Sequence, residues 1–198
     1  MYKINDYVKM AYENSLSKGW YEEKRSVLER IALMHTEISE ATEEVRDNKE
    51  DFYEVNGKFE GQSVELADVL IRIFDFSGFS KVNIAKYIEQ QFFMSYQDLD
   101  YIHDIEQEVK QLNNIRCYDE IENLETDLEF HTSFAISLSE AAKASMKNNE
   151  EKTFYFLSEA IVKIIYFAQK KSWNFEEVIY KKHIYNTTRP YKHGGKKC

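Results

Sequence analysis

Residues 25–47 read RSVLERIALMHTEISEATEEVRD, and residues 62–78 read QSVELADVLIRIFDFSG. In each stretch the apolar residues recur every three or four positions, a spacing that places them on one face of an α-helix. The first face is formed by Leu28, Ile31, Ala32, Ile38, Ala41 and Val45, and the second by Leu66, Leu70, Ile73 and Phe74. The second stretch has more apolar residues than one face requires, so we expect it to lie buried between neighbouring helices.

The same helical spacing extends over most of the chain. It predicts helices at about 4–17, 25–47, 62–78, 82–94, 100–115, 122–147, 151–171 and 175–186. The strict alternation typical of strands is not seen, and one proline and six glycines provide few breaks. The sequence therefore predicts an all-α fold, built as an antiparallel helical bundle.

Composition limits the classes of function. The 198 residues are 43% hydrophobic with a formal net charge of −9, which suits a folded domain and argues against a general nucleic-acid binder. No apolar run could span a membrane, the polar start is unlike a signal peptide, and Cys117 and Cys198 make no disulfide framework. We therefore expect a cytosolic protein with no membrane partner. The basic stretch from Lys181 onward suits phosphate binding or is an ordinary solvated terminus.

The first and second halves of the sequence also resemble each other. A shift of 100 positions places Ser39-Glu40-Ala41 on Ser139-Glu140-Ala141 and Asn48-Lys49-Glu50 on Asn148-Asn149-Glu150. A shift of 91 aligns Leu66, Arg72, Ile73, Phe76, Asn83 and Ile88 with Leu157, Lys163, Ile164, Phe167, Asn174 and Ile179. Two amphipathic helices of similar composition would also match in this way. If the repeat is real, residues 1–98 and 99–198 are tandem modules that form a pseudo-dimer, and the first module carries nine extra residues around 51–62.

Four carboxylates lie at helical spacing beside the apolar faces. Glu37 and Glu40 are three residues apart, and Glu65 and Asp68 repeat that spacing on the next predicted helix. Acids three residues apart share a helix face, so antiparallel packing of the two helices would bring all four together. A hard divalent cation such as Mg²⁺ would relieve their repulsion through oxygen ligands. Alternatively, these acids belong to a solvated surface.

Several segments together resemble the MazG-like all-alpha nucleoside triphosphate pyrophosphohydrolases, a group related to dimeric dUTPases and phosphoribosyl-ATP pyrophosphohydrolases. The resemblance runs over residues 19–78 through GWYEE, ALMHTEISEATEEVR and GKFEGQSVELADVLIRIFDFSG. It resumes at residues 181–197 with KKHIYNTTRPYKHGGKK, which looks like the C-terminal signature of short members.

This resemblance implies antiparallel helices that assemble as oligomers and cleave the α–β phosphoanhydride of a nucleotide. The products would be a nucleoside monophosphate and pyrophosphate. Glu37, Glu40, Glu65 and Asp68 would hold Mg²⁺, with Mn²⁺ as an alternative ion. Glu37 or Glu40 would be the general base, and the sequence does not choose between them.

The second module departs from the family pattern. In the second module the counterparts of Glu37, Glu65 and Asp75 are Ser137, Phe156 and Tyr166. Two acids are kept there, Glu140 and Glu159. Two carboxylates make a poor Mg²⁺ site, so we expect a pseudo-dimer with one competent site, or one site per chain in a homo-oligomer, for which a dimer of pseudo-dimers is one arrangement. The decayed module also suits a second interpretation, a nucleotide-binding sponge or sensor with little turnover.

The expected substrate-binding residues surround the acids in sequence or lie in the basic tail. They are Trp20, Lys58, Arg72, Asn186, Arg189, Lys192, His193 and Lys196. Trp20 would stack on a base, although a core position is favoured, and the tail would contact phosphate. Arg72 is expected to pair with Asp75 along its helix or, as the alternative, to orient a metal ligand. The extra segment 51–62 would be a lid, a base-reading element or an ordinary insertion.

Overall fold

The computed structural model describes residues 2–94 and 98–192, and these residues form a helical fold with one small hairpin. The all-α class predicted from the sequence is confirmed. In chain order the elements are α1 (Ile4–Ser17), α2 (Val27–Arg46), β1 (Tyr53–Val55), β2 (Lys58–Glu60), α3 (Gln62–Ser80), α4 (Ile84–Glu89), α5 (Ile102–Glu108), a 3-10 turn (Leu112–Asn114), α6 (Tyr118–Ile121), α7 (Asp127–Met146), α8 (Glu150–Lys170) and α9 (Phe175–Thr188).

Three helices are shorter than the sequence predicts. α4 and α5 end before the expected residues 94 and 115, and α7 begins after the expected residue 122. Side chains that bond to the backbone favour these limits. The Oδ1 of Asn114 accepts from the N–H of Met94 at 2.7 Å, which favours a loop in place of the last turn of α4. The hydroxyl of Thr126 accepts from the N–H of Glu129 and caps the start of α7.

Local geometry recurs at the two spacings of the sequence repeat. Ser26 and Thr126 begin α2 and α7 with the same capping box, in which a glutamate three residues later bonds back to the cap. Asn48 and Asn148 follow these helices, each in the left-handed conformation with φ of 53°. After α3 and α8 the left-handed residues are Lys81 and Ser172, both with φ of 58°. The starts of α2 and α7, and the left-handed residues after all four helices, thus recur at the spacings of the repeat.

The segment between α2 and α3 is a hairpin. Tyr53 pairs with Glu60 in the antiparallel ladder of β1 and β2. Asn56 and Gly57 form its turn with φ of 52° and 78°, as a two-residue type I′ turn requires. The hairpin leads into α3 at Gly61 (φ 108°), where an added Cβ would lie 2.6 Å from the carbonyl oxygen of residue 51. Only glycine suits this entry to α3.

The long helices pack as two antiparallel pairs around one apolar core. α2 packs against α3 and α7 against α8, and the pairs meet chiefly through α2 and α7. α1 and α9 cover α3, whereas α4 packs on α8. The buried core contains large side chains from both pairs, among them Met34, Phe74, Phe134 and Phe167. Within the described residues, no helix combines the length and the apolar character needed to cross a bilayer.

A buried polar network joins the two helix pairs. The side-chain amide of Gln62 donates to Asp51 (3.0 Å) and Asp127 (2.9 Å), so its oxygen accepts. That oxygen lies 3.0 Å from Nε2 of His131, which therefore carries the proton. Nδ1 of His131 lies 2.9 Å from the hydroxyl of Thr42, which is also 2.9 Å from the carbonyl oxygen of Ile38. Burial lowers the pKa of His131 to about 4, so the histidine of this network is neutral at pH 7.

Candidate metal centre

Three carboxylates converge between α2 and α3. One oxygen from each of Glu37, Glu65 and Asp68 lies within 4.8 Å of the others. Glu65 and Asp68 share a face of α3, as their spacing predicts, and Glu37 reaches them from the antiparallel helix. Glu37 and Glu65 are both buried, at 4% exposure. Glu40, the fourth predicted ligand, is exposed and lies outside this set of convergent oxygens.

Burial and mutual repulsion raise the proton affinity of this cluster. Desolvation raises the pKa of Glu65 to about 8; the neighbouring carboxylates of Asp68, Glu37 and Glu40 add to this, and the ammonium of Lys182 opposes it. Desolvation likewise raises the pKa of Glu37, with Asp68 and Glu40 adding to the effect and Arg72 opposing it. Acids held together in a buried position favour a cation among them.

Two basic side chains and one amide contact the cluster. Arg72 donates from Nε (2.7 Å) and Nη2 (2.5 Å) to Glu37 Oε1. Nζ of Lys182 lies 3.0 Å from Asp68 and 4.0 Å from Glu65. Nδ2 of Asn186 donates to Asp68 Oδ1 at 3.1 Å. Lys182 and Asn186 are one turn apart on α9, so packing of α9 on α3 brings part of the basic C-terminal region to the acids.

The favoured pairing of Arg72 with Asp75 is wrong. Arg72 extends across to Glu37 on α2, which is the alternative in which it orients a candidate metal ligand. Asp75 instead accepts from the Tyr21 hydroxyl at 2.7 Å, and the Ser15 hydroxyl also bonds to it. Burial raises the pKa of Asp75 to about 6. The two side chains separate because each has a partner on a different neighbouring element.

A cavity of about 100 Å³ adjoins the carboxylates. Four of the predicted substrate-binding residues line it, namely Trp20, Arg72, Asn186 and Arg189. Its wall also includes Asp68 and Asp75, together with Asn14 and Ser15 of α1. The residues that line the cavity therefore include one acid of the cluster, a tryptophan and two arginines. This combination suits a ligand that is both anionic and aromatic.

Other predicted substrate-binding residues have different surroundings. Lys58 lies on the hairpin and pairs with Glu60 at 2.5 Å. Lys192 pairs with Glu22 (3.3 Å) and Glu23 (3.4 Å) at the surface. Neither lysine lines the cavity. His193 and Lys196 fall outside the described residues.

Sequence reasoning missed three residues of this region. Lys182 was noted as part of a basic stretch, yet it is buried at 3% exposure on the face of α9 that carries Val178 and Asn186. Its position four residues after Val178 and four before Asn186 is the signal that could have revealed this. Asn14 and Ser15 line the cavity from α1, and nothing in their local sequence marks them out.

The equivalent place in the second half contains a lysine. Lys163 is fully buried, and its Nζ lies 2.9 Å from Glu159 and 2.6 Å from Glu120. Ser137 completes the group, since its oxygen lies 3.0 Å from this ammonium and its hydroxyl donates to Glu159 at 2.7 Å. Glu140 pairs separately with Lys143 on the exposed side. Within residues 2–94 and 98–192, the convergent set of metal-type ligands is the one between α2 and α3.

Neither protein-family models, curated proteins nor solved structures match this chain. The resemblance to MazG-like proteins therefore stays an expectation based on the quoted motifs. The geometry of the cluster and the cavity is independent of that resemblance.

Proposed function

We propose that the chain is a Mg²⁺-dependent nucleotide pyrophosphohydrolase that cleaves the α–β phosphoanhydride of a nucleoside or deoxynucleoside triphosphate. The products are a nucleoside monophosphate and pyrophosphate. One observation carries the proposal: the carboxylates of Glu37, Glu65 and Asp68, the first two of them buried, converge beside a cavity whose wall includes Asp68, Arg72 and Trp20. The motifs that resemble MazG-like proteins support the same reaction.

The donor set suits a hard divalent cation. Glu37, Glu65 and Asp68 offer carboxylate oxygens, which Mg²⁺ and Mn²⁺ prefer, and no histidine or cysteine belongs to this described set. A Mg²⁺ ion in this place supplies charge neutralisation at phosphate oxygens and lowers the pKa of a water molecule. Glu65 must ionise before it serves as a ligand, and a cation drives that ionisation.

The surrounding residues divide the remaining tasks. Arg72 fixes Glu37, and Arg189 lines the cavity and carries a guanidinium group of the kind that fits phosphate oxygens. Trp20 offers a ring on which a nucleobase stacks. Of the two candidate bases we favour Glu40, because Glu37 is committed to Arg72 whereas Glu40 is exposed one turn away. Glu40 would accept the proton of the attacking water.

We further propose that the two helix pairs are tandem copies of one module and form a pseudo-dimer with one metal site. The duplication is supported by the matching capping boxes at Ser26 and Thr126 and by the matching left-handed residues. In the second copy Lys163, the counterpart of Arg72, is fully buried and pairs with Glu159, the counterpart of Asp68. A cytosolic location and assembly into a homo-oligomer belong to the same proposal.

One observation favours a binding protein with little turnover as a second candidate. Arg72 already pairs with Glu37, and Lys182 with Asp68, so the cluster is partly neutralised by the chain itself. Such a site would bind metal weakly and hold a nucleotide mainly through its cations. Turnover measurements separate the two candidates.

The decisive experiment is a panel of nucleoside triphosphates, deoxynucleoside triphosphates and guanosine tetraphosphate with Mg²⁺, with pyrophosphate and phosphate release as the readout. We expect pyrophosphate from at least one triphosphate. Glu40→Gln and Asp68→Asn should each abolish it while the helical circular dichroism persists, and Glu140→Gln is the matched control in the second half. Near-normal rates in both site variants would refute the assignment, and tight binding without turnover would favour the sponge or sensor.

A further inference from the structure

The side chain of Asn186 combines one satisfied group with one unsatisfied group. Its Nδ2 donates to Asp68 Oδ1 at 3.1 Å, and the residue is 9% exposed. Its Oδ1 is buried and has no hydrogen-bond donor within the described parts of the chain. Asn186 also lines the cavity beside the carboxylates. A buried acceptor without a partner, on a residue that lines a cavity, indicates a donor on the ligand.

The orientation of this amide is fixed by chemistry. An ionised carboxylate accepts hydrogen bonds and donates none, so the group that faces Asp68 has to be the NH₂ of Asn186. The amide oxygen of Asn186 therefore points away from Asp68, and it can only accept hydrogen bonds. The ligand atom that meets it must carry a hydrogen or a positive charge.

The cavity shows which part of a nucleotide this is. Phosphate oxygens at neutral pH accept hydrogen bonds, and the guanidinium groups of Arg72 and Arg189 suit them. Trp20, also in the cavity wall, suits the base. In a nucleotide the sugar lies between phosphate and base, and its hydroxyls are donors. Asn186 bonds to Asp68, a candidate metal ligand, and shares the cavity wall with Trp20, so a sugar that joins metal-bound phosphates to a stacked base would enter the same cavity.

We propose that Asn186 reads the sugar of the nucleotide: its Oδ1 accepts a hydrogen bond from a ribose or deoxyribose hydroxyl, while its Nδ2 holds Asp68. This assignment rests on the proposed function and adds a specificity-determining residue to it. The residue links recognition of the sugar to the position of a candidate metal ligand through one amide group.

The test is a cycle that crosses variants of the full chain with variants of the substrate. In the presence of Mg²⁺, kcat/KM is measured for the best triphosphate of the panel and for its analogues that lack the 3′-hydroxyl or, for a ribonucleotide, the 2′-hydroxyl. Loss of the hydroxyl that Asn186 reads should lower kcat/KM of the wild type about tenfold. In Asn186→Ala the same loss should cost less than about twofold, because the acceptor is gone.

Two further variants separate reading from anchoring. Asn186→Asp loses the bond to Asp68 and adds a like charge, so its rates fall, but an acceptor remains and the hydroxyl dependence should persist. It also keeps the test decisive if Asn186→Ala loses its circular dichroism. Thr187→Ala, whose hydroxyl bonds to the carbonyl of Ile184 on the exposed side of α9, is the control and should retain wild-type hydroxyl dependence.

The proposal would be overturned if loss of the hydroxyl lowered kcat/KM equally in the wild type and in Asn186→Ala, which is the result that a direct metal-ligand role for Asn186 predicts. It would also be overturned if kcat/KM of the wild type depended on neither hydroxyl. If the wild type hydrolyses nothing, the proposed function fails, and the same cycle is then run on the Kd of the triphosphates by calorimetry. Hydroxyl-dependent affinity that disappears in Asn186→Ala would support the assignment without turnover. A wild type that binds no nucleotide overturns both proposals.

Discussion

The buried ammonium of Lys163 offers a direct measure of how much the second half depends on its internal cation. Lys163→Met keeps much of the side-chain volume and removes the charge. Glu159, 8% exposed, then loses its buried partner and keeps the hydroxyl of Ser137. Glu120 is 55% exposed in its side chain and is screened by solvent, so its pair contributes little. The expected loss of unfolding free energy is therefore that of one buried ion pair from which one partner has been removed.

Breaking such a pair costs about 3–5 kcal/mol of unfolding free energy. For a chain of this size each 1 kcal/mol shifts the melting temperature by about 2–4 °C, so the fall should be roughly 6–20 °C. The assay is thermal and urea unfolding followed by far-ultraviolet circular dichroism. The double variant Lys163→Met with Glu159→Met should recover most of the loss, because it leaves no buried charge unpaired.

The exposed pair of Lys143 and Glu140 provides the matched control on α7. Lys143→Met removes a lysine from an ion pair whose side chains are 64% and 38% exposed, and should cost less than about 1 kcal/mol. A loss below about 1 kcal/mol in Lys163→Met would refute the reasoning. So would a double variant as unstable as the single one, since the penalty would then not come from the unpaired Glu159.

Three further predictions concern the metal, the pH and the backbone. Mg²⁺ at 100 times its Kd should stabilise the wild type by about 2.7 kcal/mol in urea unfolding, and Asp68→Asn should lose this response; unchanged unfolding of the wild type at millimolar metal would exclude a metal site. Because the pKa of His131 is about 4 when folded and 6.5 when unfolded, stability is complete above pH 6.5 and should fall by ~1.4 kcal/mol per pH unit between these values. His131→Gln should remove that slope, and an unaltered slope would assign the acid sensitivity to other groups. Gly61→Ala should lower the unfolding free energy by well over 1 kcal/mol and Gly57→Ala by about 1 kcal/mol. The reason is that an added Cβ meets a backbone oxygen at 2.6 Å at Gly61 and nothing within 4 Å at Gly57. Equal losses of unfolding free energy would argue against the contact at Gly61.

Local patterns in the sequence predict the long helices of the bundle and the three convergent acids, which are three of the four predicted ligands. The apolar faces fix which sides of α2 and α3 turn inward, and the spacing of three then places Glu65 and Asp68 together. The hairpin was also readable, because Asn56-Gly57 is a strong two-residue turn signal. The expectation of a lid, a base-reading element or an insertion at 51–62 did not use that local signal.

The contributions of α1 and α9 were not accessible in the same way. Lys182 reaches Asp68 because α9 packs on α3, and that packing is a property of the assembled core. Arg72 likewise had two acids within reach, Asp75 along its helix and Glu37 across from it. The choice depended on Tyr21 bonding to Asp75, a contact between distant segments that no local spacing encodes.

The docking of α9 on α3 also has a consequence for the order in which the chain is made. A ribosome adds about 5–20 residues per second, so Lys182 emerges roughly ten seconds after Asp68. During that interval the carboxylates of Glu65 and Asp68 lack the ammonium that later lies beside them. The amino-terminal helices therefore leave the ribosome with an unfinished acidic pocket, and synthesis of the last helix completes its charge balance.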